Sequence, residues 1–494
     1  MASSLPFRAR SPLILLGAAM LALGGCDRRP DDAAVAVSVI GGTARPADPS
    51  RAELSPAERV LMGATAQGLV RFDAAGQVEP ALAERWIVID DGQSYIFRLG
   101  DARWPDGNRV TAGDVVATLK RALRPADHKP FAPALRLVDE IVEMTPEVVE
   151  IRLRRPQPEF LKLLAQPELA IFKRPSLRGT GPYEPGQQMA GAQRLRPVRR
   201  LEDEEEAETP FSPAEMVEVR GERAALAVAR FARGRSDLVL GGGLDEWPLL
   251  SIAQIGPASI RLDPAAGLFG LAVVRRTGFL AEAPNRAAVA GALDRNAITA
   301  AVRSDWGTSD ALLPAQLDSG AAPAAFPWLA TPSDETISQA RARVTVWRAD
   351  HPDMAPLRIA LPEGPGGNLL WRPIADSLRA IGLPVERVAQ DAADADLRLI
   401  DAVAPLDSGR WYLDTACVAC DPMIRAIIDA AADARDAETR ARLLADGDAA
   451  LMADASFVPI ASPLRWSLVS QRLRAWTPNA RAWHPLNHLR GDPS

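Results

Sequence analysis

Residues 94–99 alternate apolar side chains with other residues, which predicts a half-buried β-strand. Tyr95, Phe97 and Leu99 supply the apolar positions, and a period of two places them on one face of a strand. Asp91 and Gly92 come directly before this stretch, and an Asp-Gly pair is typical of a turn. We therefore expect a strand that enters from a tight turn and buries one face.

The apolar spacing changes to that of a helix after a second turn at Pro105-Asp106-Gly107. Thr111 is suited to cap a helix, and Asp114 three residues later lies near the positive end of the helix dipole. The apolar stripe that follows consists of Val115, Val116, Leu119 and Leu123. This spacing predicts an amphipathic helix that starts after Thr111.

The same reasoning predicts elements along the rest of the chain. Alternation and apolar runs predict strands over Val35–Ile40, 238–240, 384–388 and 457–460. Helical spacing predicts helices over 224–231, 285–302, 368–381, 421–432 and 436–453. In the helix over 285–302, we interpret Asp294 and Arg295 as capping and pairing residues rather than catalytic ones. Strands and helices mixed in this way predict the α/β class.

The order of short motifs in residues 67–121 resembles the signature region of family 5 of the bacterial extracellular solute-binding proteins. In order, these are GLVR, PALAERW, an IDDG turn, the YIFRL strand, WPDG and VTAGDV. The loop at 179–183, GTGPY, also matches the loop at which chains of that family leave their inserted domain. Members of the family are receptors of ABC importers for peptides and nickel. The resemblance covers nearly all of the chain after residue 26.

The resemblance implies an α/β fold like that of the type 2 periplasmic binding proteins, with two lobes, a ligand cleft and a small inserted domain. It divides the chain as follows: lobe I from 26–67, 173–267 and 456–494, the inserted domain from 68–172, and lobe II from 268–455. The strand at 457–460 is expected to return the chain to lobe I. The resemblance implies a binding protein, not an enzyme, with no cofactor and no metal site.

Residues 1–25 have the features of a bacterial lipoprotein signal peptide. Arg8 and Arg10 precede a short apolar run, and Leu23-Gly24-Gly25-Cys26 resembles a lipobox. We expect cleavage before Cys26 and acylation of that residue, and the alternative is an ordinary secretory peptide. Acylation predicts a periplasmic protein anchored by lipid to the inner membrane, where Asp27 favours retention.

Charge and cysteine content narrow the function classes. The formal net charge is −6, and removal of Arg8 and Arg10 with the signal peptide makes it −8, which gives no support to nucleic-acid binding. We expect a monomer. Cys417 and Cys420 are the other cysteines, and an oxidising periplasm favours a short-loop disulfide between them. The alternative reading of this CxxC pair is a thiol oxidoreductase site.

The candidate binding residues lie in residues 397–413. Peptide-binding relatives carry a W-x-x-D motif in this region, and its Asp pairs with the α-ammonium of the peptide. In this sequence Ala402 and Pro405 stand at those two positions, and proline cannot form that ion pair. We therefore assign ligand binding to nearby side chains that can supply charge or an aromatic ring, against the alternative that they only face solvent or pack: Asp401, Asp407, Arg410 and Trp411.

These observations predict a periplasmic solute-binding lipoprotein of an ABC importer. Its partners are expected to be a peptide-like solute, the permease subunits and the membrane through the lipid anchor. A non-peptide solute such as a nickel chelate or haem is the alternative within the same fold, and a receptor that signals without import is a further one. Closure of two lobes on the solute is the expected mechanism.

Overall fold

A computed structural model of the chain describes residues 32–123, 135–189, 191–198, 210–326, 329, 331 and 333–489. The predicted signal peptide and Cys26 lie outside the described residues. The strands are β1 Val35–Ile40, β2 Val70–Phe72, β3 Val78–Pro80, β4 Ala83–Ile89, β5 Ser94–Leu99, β6 Val138–Thr145, β7 Val148–Leu153, β8 Phe172–Lys173, β9 Arg178–Gly179, β10 Tyr183–Met189, β11 Ala192–Pro197, β12 Val217–Glu222, β13 Leu238–Gly242, β14 Ile260–Asp263, β15 Gly267–Val273, β16 Leu357–Ala360, β17 Val385–Val388, β18 Leu397–Val403, β19 Phe457–Ala461 and β20 Arg465–Val469.

Helices cover both main sheets. The α-helices are α1 Pro56–Thr65, α2 Ala112–Ala122, α3 Phe160–Leu164, α4 Ala224–Ala232, α5 Trp247–Ile252, α6 Ala283–Ala292, α7 Arg295–Ala300, α8 Ser333–Asp350, α9 Pro365–Ala380, α10 Gly409–Ala416, α11 Pro422–Asp433 and α12 Ala437–Asp454. Short 3-10 helices are Asp90–Gly92, Pro167–Leu169, Pro213–Glu215, Pro257–Ser259, Gly278–Ala281 and Leu486–His488. Within the described ranges, no helix is both long and apolar enough to span a membrane.

The first lobe is built on a sheet with the strand order β10-β11-β12-β1-β13-β20-β14. Strand β1 pairs in parallel with β12 on one side and with β13 on the other. All six residues of β1 are buried, as expected for a central strand covered on both faces. Val37, Val39 and Leu240 from these strands pack with Leu61 of α1. The carboxyl ends of the three parallel strands therefore lie at one edge of this sheet.

The second lobe is built on a sheet with the order β17-β16-β18-β15-β19. Strand β19 pairs antiparallel with β15, so the expectation that residues 456–461 belong to the first lobe is wrong. Val458 and Ile460 fill the core of the second lobe, and burial of these apolar side chains stabilises the strand there. The chain crosses to the first sheet only between Ala461 and β20.

The inserted domain contains the four-stranded sheet β4-β5-β7-β6 and the hairpin β2-β3. Strand β5 buries Tyr95, Phe97 and Leu99, as the alternation predicts. Helix α2 begins with a capping box in which the Thr111 hydroxyl accepts from the Asp114 amide and the Asp114 carboxylate accepts from the Thr111 amide. The predicted cap and its first-turn acid are thus confirmed.

The predicted helix over 285–302 is two helices, α6 and α7, with Leu293 in an extended conformation between them. The Asp294 carboxylate accepts from the Ala297 amide at 2.9 Å and so caps α7. The Arg295 guanidinium donates to the Pro459 carbonyl at 2.9 Å and lies 3.5 Å from Asp310. Both residues therefore have the structural roles of capping and pairing.

Candidate functional site

The two lobes meet at the carboxyl edge of the first sheet. Asp245 follows β13, and its carboxylate accepts from the Gly367 amide at 3.0 Å, in the first turn of α9 of the second lobe. The Asp245 carbonyl accepts from the Gly366 amide at 3.2 Å. Amides in the first turn of a helix have no partner within the helix, so an acceptor from outside stabilises them. In open α/β sheets this edge is also where ligands bind.

The approach of the lobes at this edge is close. Leu244 of the first lobe is 2 % exposed and belongs to the hydrophobic core of the second lobe. A Cβ atom built on Gly366 would lie 2.0 Å from the Leu244 carbonyl oxygen, which is far inside van der Waals contact. Glycine at this position therefore permits the contact between the lobes.

Asp401, one of the predicted binding residues, lies at the same junction. Its carboxylate is 2.8 Å from the guanidinium of Arg465, which begins β20 in the first lobe. Burial raises the pKa of Asp401 although Arg465 opposes the shift, and nearby Asp245 adds to it. Burial also raises the pKa of Glu246. The carboxyl groups of Asp245, Glu246 and Asp401 thus lie near a single cation of this set, the guanidinium of Arg465. The junction therefore favours an additional positive charge.

A second contact between lobes is made by residues 404–407, which follow β18. Leu406 is 6 % exposed and packs in the core of the inserted domain, whose other fully buried members lie within residues 69–171. The Pro405 carbonyl accepts from the Gln166 side chain at 3.0 Å and from Arg481 at 2.9 Å. A loop of the second lobe is therefore anchored in the inserted domain by one apolar side chain and by hydrogen bonds.

Asp407, another predicted residue, is already paired with two cations. Its carboxylate is 2.5 Å from the Lys162 ammonium and 2.8 Å from the Arg481 guanidinium, and Lys162 also contacts Glu159 at 2.7 Å. Burial raises the pKa of Asp407, but the two cations lower it by more, and the net shift is downward. Asp407 is therefore ionised and holds the second lobe to the inserted domain and to the C-terminal segment.

Arg410 and Trp411 lie on α10 and make contacts within the second lobe. The Arg410 guanidinium is 3.2 Å from Asp414, one turn further along α10. The Trp411 ring packs edge-on against Tyr412, with centroids 5.0 Å apart, and contacts the core of the second lobe. The structure thus brings Asp401 and Asp407 to contacts between lobes, and it places Arg410 and Trp411 beside partners of their own lobe.

The two cysteines of the CxxC motif lie between α10 and α11. Cys417 and Cys420 are in Sγ–Sγ contact, with Cα atoms 5.0 Å apart, a separation that a disulfide can span. Cys417 is 2 % exposed, and its carbonyl accepts from Arg425 at 2.6 Å. A buried sulfur of this kind is poorly placed to attack a protein disulfide.

Residues of these contacts that the sequence reasoning missed include Lys162, Leu406, Arg465 and Arg481. Lys162 is separated from Asp407 by 245 positions and Arg481 by 74, so no local pattern links them.

As for metals, the described part of the chain has no group of three or more His, Cys, Asp or Glu side chains placed to hold an ion. His484 and His488 contact Asp263 and Glu79 separately.

The model of the family described as bacterial extracellular solute-binding proteins, family 5, matches residues 77–415. The glutathione-binding protein GsiB of Escherichia coli K12 is 30% identical over 187 residues, 35% of this chain and 36% of that protein. A protein of the same strain described as the probable deoxycholate-binding periplasmic protein YgiS is 34% identical over 140 residues, 25% of this chain and 26% of that protein. These sequence matches therefore span about a quarter to a third of each relative.

Likeness in three dimensions extends over more of the chain. The murein tripeptide binding protein MppA of Escherichia coli superposes with a TM-score of 0.73 at 17% identity, covering 91% of this chain and 96% of that protein. At this identity the likeness concerns the fold alone, and it confirms the two-lobed α/β architecture that the sequence predicts.

Proposed function

We propose, from the premise that the chain belongs to family 5 of the bacterial extracellular solute-binding proteins, that it captures a small solute between its lobes. The captured solute is then delivered to the permease subunits of an ABC importer. Family 5 proteins are binding proteins of the periplasm, and capture requires no bond to be broken.

The observation that carries this proposal is that two leucines are each buried in the core of a neighbouring domain. Leu244 of the first lobe enters the core of the second, and Leu406 of the second lobe enters the core of the inserted domain. Each contact joins two domains through one leucine, so separation of the domains would expose that side chain to water. A solute that contacts both lobes adds free energy to the closed state alone, so it shifts the population toward closure.

A peptide-like solute is the substrate class that we propose. The junction of Asp245, Glu246 and Asp401 has more carboxyl groups than cations, so it suits an ammonium group. Asp407 does not suit one, because Lys162 and Arg481 already neutralise it. We assign the ammonium to Asp401 and its neighbours, and carboxylate or aromatic groups of the solute to Arg410 and Trp411. A relative named for glutathione supports this class.

A non-peptide solute is the second candidate, and Pro405 is the observation that favours it. This residue stands where peptide-binding relatives place an Asp, and an ammonium buried without a counter-charge costs several kcal/mol. A relative named for deoxycholate, which has no ammonium, supports this candidate. Both candidates share the closure mechanism.

The proposed location is the periplasmic face of the inner membrane, with the chain anchored through acylated Cys26 and acting as a monomer. The lipobox resemblance supports the anchor, and the expected disulfide between Cys417 and Cys420 suits an oxidising compartment. Metabolic labelling with a radioactive fatty acid tests the anchor, because Cys26→Ser should abolish the label. Persistence of the label in that variant would contradict acylation at Cys26.

A native mass spectrum of gently purified protein, followed by calorimetry with a mixed peptide library, tests the substrate class. We expect a retained peptide-like mass and binding of peptides with a free amino terminus. Asp401→Asn should weaken that binding, whereas Asp446→Asn, an exposed acid of α12, serves as a control of equal charge change. Tight binding of another solute together with no binding of any peptide would establish the second candidate instead.

A further inference from the structure

A basic groove lies on the first lobe at the edge of the sheet away from the junction. It has a volume of about 960 Å³ and is lined by residues that include Arg233, Arg235, Arg472 and Arg474. Among the described residues that line the groove, Asp237 is the one acid, which leaves three positive charges in excess there. This local balance is opposite in sign to that of the whole chain, whose formal net charge is −6.

The position of the groove follows from the strand directions. Asp237 comes directly before β13, and Arg472 and Arg474 follow β20, which runs antiparallel to β13. The groove therefore lies at the amino edge of the parallel strands, whereas Asp245 lies at their carboxyl edge. Six residues of β1 separate the two edges, a distance of about 20 Å at 3.3 Å per residue. The groove is thus separate from the proposed solute site.

Three of the groove's arginines have guanidinium groups that are free to bind a ligand. Arg472 is engaged, since it donates to Asp237 and to the Ala33 carbonyl. Within the described ranges of the chain, Arg233, Arg235 and Arg474 are exposed and have no acidic partner. Guanidinium groups bind phosphate through paired hydrogen bonds in a fixed geometry, so this set suits phosphate groups.

The groove is also the place where the chain enters the fold. Arg472 contacts Ala33 at 2.6 Å, and Ala33 is seven positions after Cys26. Seven residues reach at most about 25 Å when fully extended. The intervening residues Asp27–Asp32, DRRPDD, contain two arginines and three aspartates, so they add no excess positive charge. An acyl group on Cys26 would hold the groove close to a bilayer surface.

We propose that the groove binds the phosphate head groups of anionic phospholipids through Arg233, Arg235 and Arg474. Bound in this way, the first lobe rests on the membrane with its amino edge. The edge that bears Asp245 then faces away from the bilayer, toward arriving solute. This proposal rests on the proposed function for the position of the lipid anchor at Cys26. Its test depends neither on acylation nor on solute binding.

Flotation with vesicles tests this proposal on the chain from Asp27 onward, which keeps every described residue and lacks the acylation site. The described residues of the hydrophobic cores all lie within 35–489, so the truncated chain keeps them and should fold. We expect binding to vesicles that contain phosphatidylglycerol, little binding to phosphatidylcholine vesicles, and loss of binding at high salt, because salt screens exposed charges. Each arginine near the surface contributes roughly fivefold to partitioning.

The decisive variant carries Arg233→Gln, Arg235→Gln and Arg474→Gln together. It should bind phosphatidylglycerol vesicles on the order of 100-fold more weakly. The matched control carries Arg178→Gln, Arg372→Gln and Arg435→Gln, which remove the same charge from exposed arginines elsewhere, and it should bind like the parent chain. All six arginines are exposed, so thermal unfolding should change little in either variant.

Three results would overturn the proposal. One is the absence of binding to anionic vesicles by the parent chain at low salt. Another is equal weakening in the two triple variants, which would show that only total charge matters. The third is tight binding of free glycerol phosphate with no binding to vesicles, which would identify the groove as a site for a small anion rather than a membrane surface.

Discussion

Leu406→Ala should open the molecule, because Leu406 is the buried apolar residue that the second lobe places in the core of the inserted domain. The substitution removes about three methylene-sized groups from a site that is 6 % exposed. Burial of each such group contributes about 0.8 kcal/mol, so closure should lose roughly 2 to 3 kcal/mol. This change alters the ratio of closed to open molecules by roughly 30- to 160-fold.

The distance between the two lobes reports this change directly. Spin labels on cysteines placed at Ile87 of the inserted domain and Val346 of the second lobe suit the measurement, because both side chains are exposed, at 58 % and 66 %. We expect electron–electron resonance to show a longer and broader distance distribution in Leu406→Ala. The affinity for the retained solute should fall by up to the same factor, because only the closed form holds the solute on both sides.

Leu119→Ala is the matched control for this experiment. Leu119 is 4 % exposed and packs in the same core, but it belongs to α2 of the inserted domain. Its removal should lower the free energy of unfolding by a similar amount and leave the distance distribution unchanged. An unchanged distribution in Leu406→Ala, or equal broadening in both variants, would refute the argument that Leu406 stabilises closure.

Three further predictions concern the junctions and the pH dependence of stability. Gly366→Ala should prevent full closure and weaken solute binding at least tenfold, since its Cβ would lie 2.0 Å from a carbonyl oxygen; an unchanged dissociation constant in calorimetry would contradict this. Asp407→Asn should make closure less sensitive to acid. The two cations lower the pKa of Asp407, so its contribution to closure is present above the unfolded pKa and is lost as the pH falls through the folded pKa. Below about pH 4 the parent chain should therefore open further, and the variant should not. Burial raises the pKa of Asp448 to about 6 although it accepts from the Ala324 amide. The native state therefore binds this proton more tightly than the unfolded chain does, and the free energy of unfolding should fall by about 2 kcal/mol between pH 4 and pH 6.5. Asp448→Asn should flatten this dependence in urea unfolding, and an equal slope in both proteins would contradict the assignment.

Local patterns were enough to predict many of the elements and their ends. The strand over Val35–Ile40 has the predicted bounds. Helices α11 and α12 begin one residue after the predicted starts, because Asp421 and Asp436 cap them. Their carboxylates accept from Met423 and Thr439 amides within the first turn. Caps and alternation depend on neighbours within about four residues, so they can be read from the sequence alone.

Element boundaries and sheet membership were predicted wrongly where a residue's spatial neighbours come from distant parts of the chain. The predicted helix over 285–302 breaks between α6 and α7, where Asp294 caps the start of α7, although the apolar spacing continues across the break. The sheet that receives β19 depends on pairing with β15, almost 190 positions earlier. Either sheet can accept an apolar strand, and only the packing of Val458 and Ile460 in the second lobe distinguishes them.

The sequence by itself determined the family and the α/β class, because these depend on local motifs and their order. The partners of Asp401 and Asp407 were decided only by the tertiary structure. Arg465, Lys162 and Arg481 meet these acids across lobe contacts, and the charge of a binding site depends on which ions the fold brings within a few ångströms. The same carboxylate can receive a ligand when it is unpaired and hold two domains together when it is paired.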